Sequence, residues 1–221
     1  MAVDELDDEE FRSRFFVDLA CAFVRGRLAE LCDLGEVETL RRGMASGLRI
    51  HKFKRNTELP RVRRVLGTLR GLGPTSLLDV GSGRGTFLWP LLDAFPDLPV
   101  TAIDRDERRA TDLRAVREGG IERLNAVQMD AEQMQFDDRS FDVVTLLEVL
   151  EHFAQPDRAA SHAIRVASRC VVASVPSEAD ENPEHLRLYD PSSLESLLVR
   201  AGARRVAIDH VRGHIVAVAS R

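Results

Sequence analysis

A chain of 221 residues with 44% apolar and 30% charged residues can fill one domain core with an extension and still present a wetted surface. No run approaches the roughly 18 apolar residues of a membrane span. The acidic start, Met-Ala-Val-Asp-Glu-Leu-Asp-Asp-Glu-Glu, lacks the basic opening of a secretory signal, so a cytoplasmic location and no membrane partner are expected. The three cysteines, Cys21, Cys32 and Cys170, are odd in number and without metal-type spacing, which reads as buried free thiols rather than a disulfide or zinc framework.

The net charge of −5 conceals an asymmetry. Residues 1–40 hold eleven acids and four arginines, whereas residues 41–70 hold ten Arg/Lys and one acid, Glu58. Such a block suits either an anionic partner, RNA included, or a solvated helix face packed against the protein's own acids. No aromatic interleaving suggests base stacking, because Phe53 stands alone in the block.

In chain order, Phe11, Phe15, Phe16, Leu19, Phe23, Val24, Leu28 and Leu31 step by three and four and predict an amphipathic helix over 9–33, stopped near Gly35. A short helix over 36–46 follows, then an irregular basic stretch over 48–57. Pro60 opens a third helix with Val62, Val65, Leu66 and Leu69 on one face. Gly71, Gly73 and Pro74 mark a boundary. Beyond it, strand patterns at 76–80, 99–103, 124–129, 141–147, 169–175, 204–210 and 214–219 alternate with helix patterns at 86–95, 106–118, 157–167 and 191–201. That alternation predicts an α/β fold, a seven-stranded, mostly parallel sheet covered on both faces. Only Gly213 and its neighbours separate the last two strands, which suggests a hairpin and an antiparallel last strand. The expected organisation is a helical N-terminal extension or lid at 1–72 and a core at 73–221.

Residues 77–87 read Leu-Leu-Asp-Val-Gly-Ser-Gly-Arg-Gly-Thr-Phe: a buried strand ending beside an acid, then glycines at alternate positions. Glycine permits positive φ and close approach of backbone to a ligand. The Gly-x-Gly-x-Gly spacing differs from the Gly-x-Gly-x-x-Gly cradle for a pyrophosphate. An acid beside such a turn suits a ligand with a positive group. The segment resembles motif I of the class I S-adenosylmethionine-dependent methyltransferases, and the resemblance continues in order to about residue 219. It implies a Rossmann-like core and S-adenosyl-L-methionine as cofactor, with Gly81, Ser82, Gly83 and Gly85 around its methionine part and Asp79 near its ammonium. Asp104 ends the second strand, 23 residues after Gly81, where a carboxylate can accept from both ribose hydroxyls, with Arg105 beside it. By the same resemblance, Asp130 accepts from the adenine amino group and the Ala131 backbone meets the ring. Glu148 sits where the fourth strand opens toward the sulfonium, and Asp142, at that strand's start, is structural.

Methyl transfer from a sulfonium is an in-line displacement that asks mainly for alignment and exclusion of water, with a base only if the acceptor must lose a proton. Glu148, Glu151 and His152 form Glu-x-x-Glu-His after the fourth strand, and His185 follows the fifth. Three readings stand together. His152 and His185 shape the acceptor pocket, one as a base, with Glu151; or Glu148, Glu151, His152 and His185 hold a divalent metal, an arrangement resembling small-RNA 2′-O-methyltransferases; or the histidines fasten loops. His214 opens the last strand and can face the cleft. Tyr189 lines the pocket or staples the helix that Asp190 starts. The basic stretch 49–55 is expected over the cleft opening, and Ala167-Ser-Arg-Cys is expected to make a tight turn. A small-molecule acceptor leads, with RNA, or a non-catalytic cofactor-binding module, as the alternative.

Overall fold

The computed structural model describes residues 8–31, 33–55, 59–178 and 182–221, so Cys32 and Glu58 lie outside the described residues. The helix expected over 9–33 is broken. Helix α1 spans Asp8–Arg14, α2 spans Val17–Arg27, and a 3-10 turn covers Ala29–Leu31. The reason lies in Phe15, Phe16 and Val17, all buried. Three consecutive residues cannot share one apolar stripe of a 3.6-residue helix, so the chain straightens there and buries all three. At the break Phe15 bridges Lys54, and the Phe16 N–H donates to the Phe53 carbonyl at 2.9 Å. Helix α3 spans Glu36–Ala45. A 3-10 turn follows at Ile50–Phe53, and α4 spans Pro60–Leu72. Pro60 opens α4, and Gly73, at φ 57°, closes it by donating to the Leu69 carbonyl.

The sheet strands are β1 (Leu77–Val80), β2 (Val100–Asp104), β3 (Leu124–Gln128), β4 (Phe141–Leu147), β5 (Ala167–Pro176), β6 (Arg205–Val211) and β7 (His214–Ser220). Their spatial order is β3-β2-β1-β4-β5-β7-β6. The first five strands run parallel, and β7 is antiparallel to both β5 and β6, as the hairpin at Gly213 requires. Helices α5 (Leu88–Ala94), α6 (Glu107–Glu118), α7 (Pro156–Val166) and α8 (Pro191–Arg200) are the crossovers. Helix α7 passes into β5 without an intervening residue, the tight connection expected at Ala167. At the foot of β4, Asp142 is structural. Although burial pushes its carboxyl up, the Thr75 N–H and the Arg169 guanidinium, at 2.9 and 3.0 Å, hold it below the usual carboxylate range.

Each face of the sheet carries its own apolar layer. One packs Leu78, Ile103 and Val144 against α7 and α8. The other packs Leu77, Val100 and Val143 against α5, α6 and the extension, with Phe16, Phe23, Leu40, Phe53 and Leu69 in the same cluster. The Phe53 ring lies 4.7 Å from Trp89 and 5.4 Å from Phe23 between centroids. The extension is thus part of the core's own packing.

Helices α2 and α6 touch backbone to backbone. A Cβ on Gly26 would fall 1.9 Å from the Ala115 carbonyl oxygen, and one on Gly119 would fall 1.7 Å from that of Ala22. Around this contact the basic block meets acids. Lys52 pairs with Asp112 at 2.7 Å and lies 3.6 Å over the Phe23 ring, and Arg55 pairs with Asp93 at 3.1 Å. Arg42 pairs with Glu38, and Arg64 with Asp209. Residues 49–55 therefore pack beside α2, α5 and α6. The expectation that they cover the cleft is corrected, because Lys52 and Arg55 find partners on α6 and α5.

Burial pushes the Cys21 thiol up to about 12 and raises that of Cys170, so both are inert in the folded state. Gly119→Ala is expected to lose about 1–3 kcal/mol or more of unfolding free energy in urea titrations, through the forced shift of α2. Gly67→Ala, in an exposed interior turn of α4 with nothing within 4 Å, is expected to gain up to about 1 kcal/mol in the same experiment.

Candidate functional site

Parallel pairing aligns the carboxyl ends of β1, β2, β3 and β4, and the residues expected to bind a ligand converge on that edge. Register sets Asp79 between Ala102 of β2 and Thr145 of β4. Its side chain is 3% exposed. The Thr145 hydroxyl donates to Oδ1 at 2.7 Å, while Oδ2 has no hydrogen-bond partner. Burial pushes its pKa up, and the Asp104 charge adds to the rise.

The following loop is drawn across the end of β2. Gly81 and Ser82 donate to the Ile103 carbonyl at 2.8 and 3.3 Å, and Gly83 donates to Oδ2 of Asp104 at 2.9 Å. A Cβ on Gly81 would meet Val149 at 2.4 Å. Gly85 serves a different purpose. A Cβ there would lie 2.0 Å from the Trp89 ring, whose indole N–H donates to the Arg84 carbonyl at 3.0 Å. Gly85 lines neither cavity described below, so the structure places it in packing.

Asp104 is 4% exposed. Its oxygens accept from Asp106 N at 2.9 Å, from Gly83 N, and loosely from Arg109 at 3.4 Å. A carboxylate offers about four acceptor positions, so capacity remains for hydroxyl donors, more so if Arg109 moves. Asp106 caps α6 by accepting from Arg108 N. At the end of β3, Asp130 caps the unforeseen 3-10 turn Ala131–Gln133 through Glu132 N at 2.9 Å, and Ala131 is buried.

Two cavities open at this edge. The larger, about 1100 Å³, is lined by Asp104, Arg105, Asp130, Ala131 and His152 among others. The smaller, about 630 Å³, is lined by Asp79, Ser82, Phe87 and Ser174, and by Arg61, Val62 and Val65 of α4. They share Gly81, Gly83 and Glu148.

Glu148 holds this junction at φ 57°, a conformation unusual for any residue but glycine. Its N–H donates to the Ser174 carbonyl at 2.9 Å, and its Oε1 accepts from the Ser174 hydroxyl at 2.6 Å. Oε2 faces His214 Nε2 at 3.0 Å and Arg61 Nε at 3.6 Å. His214 therefore reaches the site as its position suggested. The quartet imagined for a metal is not assembled: Glu151, His152 and His185 bring ligand-type atoms within 4.8 Å of one another, with Glu148 outside the group.

Those three residues lie in a fastening between the 3-10 turn Leu150–His152 and the chain after β5. Leu186 N donates to the Glu151 carbonyl at 2.9 Å, His152 Nδ1 is 3.0 Å from the Glu184 carbonyl, and the two imidazole rings meet edge to face. Of the three, His152 lines the larger cavity. Buried Tyr189 points its hydroxyl at the Leu150 carbonyl, 3.4 Å away, which is stapling rather than pocket lining. Sequence reasoning missed Arg61, Ser174 and Arg109. Arg61 had one signal, its place directly beside the apolar stripe of α4, but ten cations in that block hid it.

The two cavities adjoin at their shared residues, and the unpaired Asp79 oxygen leaves one buried acceptor free for a cationic group. Residues 78–169 match the family model described as "Methyltransferase domain". A Malonyl-[acyl-carrier protein] O-methyltransferase of Geobacter sulfurreducens is 28% identical, with 69% of this chain and 66% of that protein covered. Another of the same name, from Methylococcus capsulatus, is 34% identical over 46% of this chain and 38% of its own length. This chain thus spans less than two thirds of the length of either curated relative. A SAM dependent methyltransferase from Aquifex aeolicus superposes with a TM-score of 0.57 at 17% identity, covering 72% of this chain and 96% of that one, a likeness of fold. Over residues 78–169 the chain is thus similar to the methyltransferase-domain family, and its fold is like that of the S-adenosylmethionine-dependent methyltransferase it superposes on.

Asp79 sets a pH test. Because its folded-state pKa is raised, the cost of ionising Asp79 is full above that pKa, declines as pH falls below it, and is gone below the ordinary carboxylate range. Asp79→Asn is expected to raise the melting temperature of the ligand-free protein at neutral pH, with the gain shrinking on acidification, while weakening S-adenosylhomocysteine in calorimetry. An unchanged neutral-pH melt would contradict this.

Proposed function

We propose that the chain transfers the methyl group of S-adenosylmethionine to an oxygen of a small carboxylic acid, free or carrier-linked. The observation that carries the reading is the lining the two cavities share at Gly81, Gly83 and Glu148, with Asp104 and Asp130 lining one and Asp79 the other. The bound cofactor supplies a methyl group already activated as a sulfonium. The chain's residues have to grip, align and keep out water. Asp104 holds the ribose, Asp130 and Ala131 the adenine, and Asp79 the ammonium, with Ser82 and Arg105 in supporting positions. Val62, Val65 and Phe87 supply an apolar wall that excludes water. The unit 1–72 acts as a lid on the core 73–221 through α4.

The acceptor class follows from the chemistry and from the relatives. Two curated relatives carry names that state O-methylation of a malonyl group on an acyl-carrier protein. A carboxylate oxygen has no proton to lose, so it needs no base. His152, whose Nδ1 faces the Glu184 carbonyl, then orients the acceptor, while Glu151 and His185 act as positioning residues through the segment that carries Glu184. RNA is disfavoured because Arg42, Lys52, Arg55 and Arg64 already face the protein's own acids. Among the described residues no helix is long and apolar enough to cross a membrane.

The test is transfer of labelled methyl to a panel of free and carrier-linked mono- and dicarboxylic acids, with phenolic hydroxyls as comparison. Base-labile methyl ester is expected on the carboxylates. His152→Ala is expected to lower kcat on a carboxylate by less than the roughly 100-fold loss typical of removing a general base. Tight cofactor binding without turnover of any carboxylate would reject the acceptor class.

A further inference from the structure

A separate cavity, of about 890 Å³, lies where the end of α2, the approach to the Ile50–Phe53 turn and the first turns of α6 meet. Its walls carry four cations from three distant stretches of chain, Arg27, Arg49, Lys52 and Arg108, against two acids, Glu107 and Asp112. Both acids are already engaged. Asp112 pairs with Lys52 at 2.7 Å, and Glu107 pairs with Arg114. Among the described residues, Arg27, Arg49 and Arg108 have no carboxylate partner. Burial lowers the pKa of Lys52, and the charges of Arg27 and Arg49 press it lower still, against the pull of Asp112. The fold therefore gathers like charge into a concavity, where the field is focused, although the chain as a whole carries −5.

The donor geometry selects the ligand class. The three arginines are exposed, and each presents a planar fork that matches two oxygens of a phosphate. One multiply charged anion answers all three and relieves their repulsion on Lys52. Base stacking has no platform here. Phe23 is the one aromatic ring lining the cavity among the described residues, and the Lys52 ammonium covers it at 3.6 Å. That favours a compact phosphate ester or diphosphate over a nucleic-acid strand.

We infer that this cavity is a binding site for a small phosphate-bearing anion, gripped by Arg27, Arg49 and Arg108 above Lys52. The inference stands apart from the cofactor and acceptor readings, because the cavity shares no residue with the two at the sheet edge. Arg27 and Arg49 belong to the extension and Arg108 to the core, so a bound anion clamps one to the other. The clamp sits one residue along α6 from Arg109, which lines the larger cavity.

Calorimetry and thermal melts on the full chain, at an ionic strength held fixed with sodium chloride, test this with pyrophosphate, glycerol phosphate, a short single-stranded oligoribonucleotide and a glutamate peptide. Pyrophosphate is expected to bind saturably, more tightly than glycerol phosphate, and to raise the melting temperature with its concentration. Its affinity should be the same with and without S-adenosylhomocysteine present. Arg27→Gln and Arg49→Gln are each expected to weaken pyrophosphate by about 10-fold, the size of one charge-assisted contact, and Arg49→Lys should recover part of the loss. Arg63→Gln, exposed on α4 outside the cavity, should change it by less than about twofold and so measures the effect of net charge alone. Ligand-free melting temperatures close to that of the wild type report that the variants are folded. Absence of saturable pyrophosphate binding, equal weakening by Arg63→Gln, or displacement by S-adenosylhomocysteine would overturn the inference. Tight binding of the oligoribonucleotide or the peptide without binding of pyrophosphate would overturn the ligand class.

Discussion

Four carboxylates crowd one edge of a parallel sheet, and the architecture of the site is a response to that crowding. Asp79, Asp104, Asp130 and Glu148 all lie at or just beyond the carboxyl ends of adjacent strands. Each is supplied with donors of a different kind. Asp104 takes backbone N–H groups from the glycine loop and from the start of α6, and Asp130 caps its own short turn. Glu148 draws on a hydroxyl, an imidazole and a guanidinium. Asp79 is left with one hydroxyl and a carboxyl pushed upward by burial. A site so negative and so incompletely neutralised favours a ligand that brings positive charge, and a sulfonium with an ammonium brings two.

Strain follows the same logic. Glu148 sits in the left-handed region, which costs a non-glycine residue of order 1–3 kcal/mol and persists where surrounding bonds enforce it. Here Ser174 enforces it twice, through its carbonyl and its hydroxyl. The result turns the carboxylate into the junction between the two cavities, away from the Glu151, His152 and His185 group. One backbone angle thus separates the Glu148 carboxylate from Glu151 and His152 of the loop-fastening cluster, although all three come from one five-residue stretch.

Much of this was legible in the sequence. The alternating strands and helices, the hairpin at Gly213 and the acids at the ends of β2 and β3 follow from short-range patterns that tertiary packing did not override. The break at Phe15 and Phe16 was hidden because steps of three and four persist across it. Only the demand to bury Phe15, Phe16 and Val17 together reveals it. The face of Arg61 was hidden because charge count does not say which arginine of a helix turns inward. The separation of Glu148 from its neighbours was hidden because the Glu-x-x-Glu-His spacing gives no sign of the positive φ the chain takes there. Gly85 shows a requirement that spacing does not report, because a Cβ there would meet the Trp89 indole. Local pattern reports elements well, and it reports badly on anything decided by a single backbone angle or by a partner distant in the chain.

The close approach of α2 to α6 has a bearing on engineering. An exchange of the leading segment for a homologue's would have to preserve this crossing. In this chain the segment is keyed into the sheet's own helical layer at Gly26 and Gly119, where not even a methyl group fits. A graft taken from a homologue with larger side chains at the crossing would tilt α2, and with it α3, the aromatic stack at Phe53 and the foot of α4. Changes to the N-terminal extension are therefore better made as point substitutions along α4, with the helical crossing beneath it left intact.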